Sequence, residues 1–201
     1  MNKYTIEFIG TFFLLLTVAL TGNPLAIGGI LAAMVYMGGY ISGGHYNPAV
    51  TLAVKIRGAI DTKTMYRYWG AQIGGAIVAS LIYFTLKEKA FVPSPPEGIS
   101  FISAFITEVI FTFALCFTVL HVATSKQTKG NQYYGLAIGL VLMAGAFAGG
   151  PISSGVYNPA IGIGTILVDL PNISTHLPNL GLYIIGPAIG GILASLTYKT
   201  T

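Results

Sequence analysis

Long apolar runs separated by short polar breaks dominate the chain. They cover roughly residues 4–20, 25–40, 65–86, 101–123, 133–149 and 180–198. None alternates with the two-residue period of a half-buried strand, and their lengths approach or exceed what a helix needs to cross about 30 Å of hydrocarbon. In hydrocarbon the backbone must satisfy itself, so the pattern predicts six spanning helices. Two further apolar segments, 50–56 and 161–167, are too short to span, rising only roughly 10 Å each as helices. Each follows an Asn-Pro-Ala triplet, Asn47-Pro48-Ala49 and Asn158-Pro159-Ala160. Proline suits a first helical turn and asparagine the cap before it. These segments are therefore expected to be half-helices that dip into the membrane.

Composition supports a bilayer as the solvent. Charged residues make up 8% of the chain and hydrophobic residues 54%, and the mean hydropathy is +0.74. Soluble domains carry about 25% charged residues. Glu7, early in the first run, and the absence of a clear small-residue cleavage site predict a retained helix rather than a cleaved signal. The 26 glycines predict close helix contacts, and Cys116, the single cysteine, permits no intrachain disulfide. The net charge of +4 does not point to nucleic acid, because the basic residues lie in short loops between spans. Lys3, Lys55, Arg57, Lys63, Arg67, Lys126, Lys129 and Lys199 fall on one side, and only Lys87 and Lys89 on the other. That bias predicts both termini in the cytoplasm. Three spans per half then make residues 1–90 and 98–201 an inverted repeat, joined by the polar connector 87–98 within one membrane channel domain, 1–201.

The halves echo each other outside the triplets. Glu7-Phe8-Ile9-Gly10-Thr11-Phe12 parallels Glu108-Val109-Ile110-Phe111-Thr112-Phe113, and the segment 68–75 parallels 183–190. In an inverted repeat the two half-helix N-termini meet near mid-membrane. Each carries about half a positive charge, and Asn47 and Asn158 each add an amide donor. Such a pair accepts a small neutral molecule with a lone pair, while a cation meets two positive dipole ends and loses its hydration. Passive passage of small neutral solutes is the expected function, with cations and protons refused. An intramembrane enzyme is disfavoured, because Cys116 and His121 do not share a helical face and neither Glu7 nor Glu108 has a catalytic partner in sequence. The three histidines are too scattered for a metal site, and no cofactor is expected. His121 reads as interfacial and His176 as solvated. His45 reads as pore-lining or as a structural loop residue.

These stretches, together with Ile41-Ser42-Gly43-Gly44-His45-Tyr46-Asn47-Pro48-Ala49-Val50-Thr51 and Gln72, resemble the aquaporin and glycerol-facilitator family along essentially the whole chain. The resemblance implies an all-α right-handed bundle of six transmembrane helices and two re-entrant half-helices, assembled as a homotetramer, and the compact loops with no visible retention motif point to the plasma (inner) membrane. It implies a central constriction at the two triplets, Asn47, Pro48 and Ala49 with Asn158, Pro159 and Ala160. It places Gly43, Gly44, His45 and Val156 along the pore, and it implies that Glu7, Glu108 and Gln72 brace the pore loops. For Glu7, a carboxylate near a helix end reaching water remains the alternative. The chain departs from the family at one informative place. Most members have arginine directly after the second triplet, where this chain has Ile161. Aligned flanks give an aliphatic filter of Ile27, Leu142, Gly155 and Ile161. The glycerol-facilitating branch usually has aspartate where this chain has Gly162. The expected solutes are water first, then ammonia or another small neutral solute, then glycerol. A non-conducting structural membrane protein of the same fold remains the alternative.

Overall fold

A computed structural model describes residues 2–200, and its regular elements are all helical. Six helices are long and apolar enough to cross a membrane. They are α1 (Lys3–Thr21), α2 (Pro24–Ser42), α4 (Thr62–Lys87), α5 (Phe101–Thr124), α6 (Tyr134–Ser153) and α8 (Ile173–Tyr198). The half-helices are α3 (Pro48–Ile56) and α7 (Pro159–Ile166). Polar side chains mark the starts: Asn2, Asn23, Asp61 and Ser100 cap α1, α2, α4 and α5 by accepting from backbone N–H groups.

Two helices run further than the apolar pattern predicts. α8 begins at Ile173 rather than near 180, passing through Pro178, and α6 continues through Pro151 to Ser153. Proline fixes φ near the helical value and removes one donor, so a helix can carry it at the expense of one bond. The loop before the second triplet is correspondingly short.

The halves pack in the same way. α1 lies against α2 and α4, as α5 lies against α6 and α8, while α2 and α6 join the halves. Each half-helix packs against the last long helix of the other half, α3 on α8 and α7 on α4. Glycine sets the closest approaches. A Cβ on Gly28 would stand 2.6 Å from the Gly139 carbonyl oxygen, and one on Gly139 would strike the Gly28 carbonyl in turn. Gly75 meets the Phe8 carbonyl, and Gly190 the Val109 carbonyl, at equivalent places in the two repeats. In lipid, where apolar surface provides little drive between helices, such backbone contact is what holds helices together.

Candidate pore

Both asparagines perform two tasks. As N-caps, their Oδ1 atoms accept from Ala49 N at 2.8 Å and Ala160 N at 3.0 Å. Their Nδ2 atoms cross between halves: Asn47 donates to the Tyr157 carbonyl at 2.7 Å and Asn158 to the Tyr46 carbonyl at 2.9 Å. An amide carries two N–H bonds. One is spent on the crossing, and the other is left for the cavity that both asparagines line.

The crossing depends on strained backbone. Tyr46 and Tyr157 have φ of 51° and 48°, a left-handed conformation uncommon outside glycine. Such strain costs on the order of 1–3 kcal/mol and persists only where the surroundings impose it. Here they do. Glu7 Oε1 accepts from Ser42 Oγ at 2.7 Å and His45 N at 3.0 Å. Its Oε2 accepts from Tyr46 N and Gln72 Nε2, both at 2.7 Å. Glu108 repeats the pattern, with Oε1 accepting from Ser153 Oγ at 2.7 Å and Val156 N at 3.0 Å, and Oε2 from Tyr157 N at 2.7 Å. Both carboxylates are fully buried, so Glu7 does not reach water. The tyrosine hydroxyls complete the clamp by donating to Met34 O and Gly145 O.

The two carboxylate clamps differ at their fourth donor. Pro187 stands where the first half has Gln72, so Glu108 lacks a fourth donor. Gln72 also donates to Thr51 Oγ1 at 2.9 Å, and Thr51 Oγ1 donates to Asn47 O at 2.9 Å. With the Thr51 hydroxyl proton assigned to Asn47 O, the proton in the 3.1 Å contact between Thr51 Oγ1 and His45 Nδ1 comes from the ring nitrogen. The neutral ring then keeps Nε2 as an acceptor.

The cavity offers about 40 Å³ to the centres of water molecules. That is room enough for water beside the two amides. Its lining is close to a palindrome. Ile27, Leu31, Gly44, His45, Asn47 and Val50 line it from one repeat, and Ile138, Leu142, Gly155, Val156, Asn158 and Ile161 from the other at the same spacing. Leu14 and Val18 likewise match Leu115 and Val119. Aliphatic walls therefore flank the asparagine pair on both sides, and His45 opposite Val156 and Ser154 opposite Gly43 break the symmetry.

Other expected residues lie elsewhere. Pro48, Ala49 and Pro159 face a separate apolar groove with Trp69, and Ala160 is fully buried, because one turn of helix directs only the cap side chain inward. Gly43 lines an open cavity beside Lys126 and Lys129 rather than the narrow passage. Phe91 and Pro93 line the passage, and with Ile27, Ala146 and Gly155 they line the wider mouth beyond it. The sequence offered one signal for them, an apolar Phe-Val-Pro inside a polar connector. Ala146 lies one turn from Leu142 on the same face of α6 and gave no signal of its own. His176 is paired rather than solvated, with Nε2 2.8 Å from Asp169 Oδ2. That contact holds the Asp169 carboxyl below its ordinary value.

The family model for major intrinsic protein matches residues 19–198. A putative aquaporin, NIP4-1 of Arabidopsis thaliana, is 32% identical over 98% of this chain and 74% of its own. Aquaporin TIP2-3 of the same plant is 38% identical over 79% of this chain and 62% of its own. Among solved structures, the aquaglyceroporin from Plasmodium falciparum superposes with a TM-score of 0.88 over 99% of this chain and 95% of its own, at 21% identity, a likeness of fold.

Proposed function

The chain belongs to the major intrinsic protein family of membrane channels, and we propose that it conducts water passively while refusing protons and cations. It is an integral multi-pass channel protein for water and small solutes, not an enzyme. The observation that carries the finer reading is the placement of Asn47 and Asn158 on one narrow cavity, each with an uncommitted N–H. A water there accepts from both amides through its oxygen, so its protons point away along the passage and no in-line relay crosses the centre. Two half-helix N-termini oppose a cation at the same place. The aliphatic walls return nothing for its lost hydration.

Ile161 stands where the resemblance expects arginine, which leaves the filter of Ile27, Leu142, Gly155 and Ile161 without a fixed charge. Ammonia and similarly small neutral solutes pass this filter on our reading, and glycerol passes more slowly. His45 Nε2 offers an acceptor on one side of the asparagines, and Glu7, Glu108 and Gln72 hold the loops. The charge bias of the loops supports cytoplasmic termini in a plasma (inner) membrane. A homotetramer, each subunit with its own pore, is the proposed assembly.

Stopped-flow shrinkage of proteoliposomes tests this reading. Water and ammonia permeability should exceed that of empty vesicles, with no proton leak detected by an internal pH dye. Shrinkage no faster than in empty vesicles refutes conduction and leaves a structural role.

A further inference from the structure

We propose that the basic end of the bundle carries a binding site for a phosphate group, and that its ligand is the headgroup of an anionic lipid. Arg57, His121, Lys126, Gln127 and Lys199 line an open cavity of about 560 Å³ where α5 and α8 end beside the loop after α3. No carboxylate side chain balances it. Among the described residues the one ion pair is His176–Asp169. Glu7 and Glu108 are buried in the pore loops, and Asp61 caps α4 through Thr64 N. Glu88 and Glu97 lie with the connector at the opposite end of the bundle.

Arg57 is fixed in place. Its Nη2 donates to Thr124 O at 2.6 Å and Tyr198 Oη at 3.3 Å, and its guanidinium lies 5.1 Å from the Tyr198 ring centre. Capping the carbonyl end of α5 thus occupies one nitrogen, while the buried Nε finds no acceptor. The Nζ atoms of Lys126 and Lys199, both exposed, donate to nothing among the described residues. Three cationic groups around one hollow with no counter-charge form a site for an anion with several oxygens, which phosphate provides. Basic pockets between spans on the cytoplasmic side are suited to anionic headgroups.

The surroundings favour a lipid over free phosphate. His121 packs on Phe117 at 4.2 Å between ring centres, and Phe117 stacks on Phe113 at 5.3 Å, an aromatic ladder descending α5 from the cavity. One turn below Lys199 on α8, Leu196 is 52% exposed. An acyl chain leaving the cavity has apolar surface on both helices to follow.

The test uses the full chain purified in detergent, with dioleoylphosphatidylglycerol, dioleoylphosphatidylcholine and inorganic phosphate as probes. Native mass spectrometry should show the wild type retaining the glycerol lipid about tenfold over the choline lipid, which is a difference of about 1.4 kcal/mol. K126Q/K199Q should lose most of that preference, and K3Q/K63Q, at the same end but away from the cavity, should keep it. Thermal unfolding separates the sources: stabilisation by the glycerol lipid but not by millimolar phosphate supports the lipid, and equal stabilisation by both, lost in K126Q/K199Q, reassigns the site to free phosphate. Equal retention of the two lipids by the wild type, or equal losses in the two double variants, overturns the proposal.

Discussion

Replacing Glu7 by glutamine should damage the protein more than replacing Glu108, although the two residues are equivalent by repeat and both fully buried. A glutamine keeps one acceptor oxygen and turns the other into a donor. At Glu7 each oxygen serves two donors, Ser42 Oγ and His45 N on one and Tyr46 N and Gln72 Nε2 on the other, so either orientation of the new amide puts its NH₂ where two donors had bonded. At Glu108 the amide can keep Ser153 Oγ and Val156 N and confront Tyr157 N alone. The desolvation cost of burying a carboxylate is common to both sites and drops out of the comparison. What remains is one charge-assisted hydrogen bond, worth about 1.5–3 kcal/mol. For a chain of this size that is a midpoint difference of roughly 3–12 °C. Thermal unfolding of the two variants in one detergent measures it. Equal midpoints, or a lower midpoint for Glu108→Gln, would show that Gln72 is not a working part of the clamp. Water permeability should fall in parallel, because a loosened Tyr46 no longer aims its carbonyl at Asn158.

Ile161→Arg should narrow the solute range, and a variant that passed larger polyols than the wild type in liposome shrinkage would refute the filter assignment. Gly28→Ala should lower the unfolding midpoint by several degrees, since its Cβ must displace α6 at a cost of about 1–3 kcal/mol, whereas Gly29→Ala, facing open space, should not; equal effects would argue against close α2–α6 packing. Asp61 caps Thr64 N at 2.6 Å, and that bond holds its carboxyl below the ordinary value. Its contribution is complete above the unfolded value of about 3.9 and is lost as pH falls through the lowered one. Asp61→Ala should therefore lower the unfolding midpoint at pH 7 and remove that acid dependence, while Asp61→Asn should keep most of the cap; a midpoint for Asp61→Ala matching the wild type at pH 7 would sink the assignment.

Membrane insertion, the six spans, the two half-helices and the pairing of repeats were legible in the chain, because each rests on local quantities: run length, apolarity, a cap residue before proline. The same locality explains the misses. Where α6 and α8 end was obscured by Pro151 and Pro178, which read as breakers along a sequence but cost a helix only one bond. The triplets read as units, yet helical rotation brings only Asn47 and Asn158 to the passage and turns Pro48, Ala49 and Pro159 to another face. Glu7 and Glu108 were marked as braces by resemblance. Which atoms they hold, and that Gln72 makes the two unequal, depends on contacts across 35 residues or more. Phe91 and Pro93 reach the passage only because the connector folds over its mouth. Hydropathy along a chain chooses a solvent and a helix, whereas facing two half-helices around a hole is a matter of distances between residues that the sequence keeps far apart.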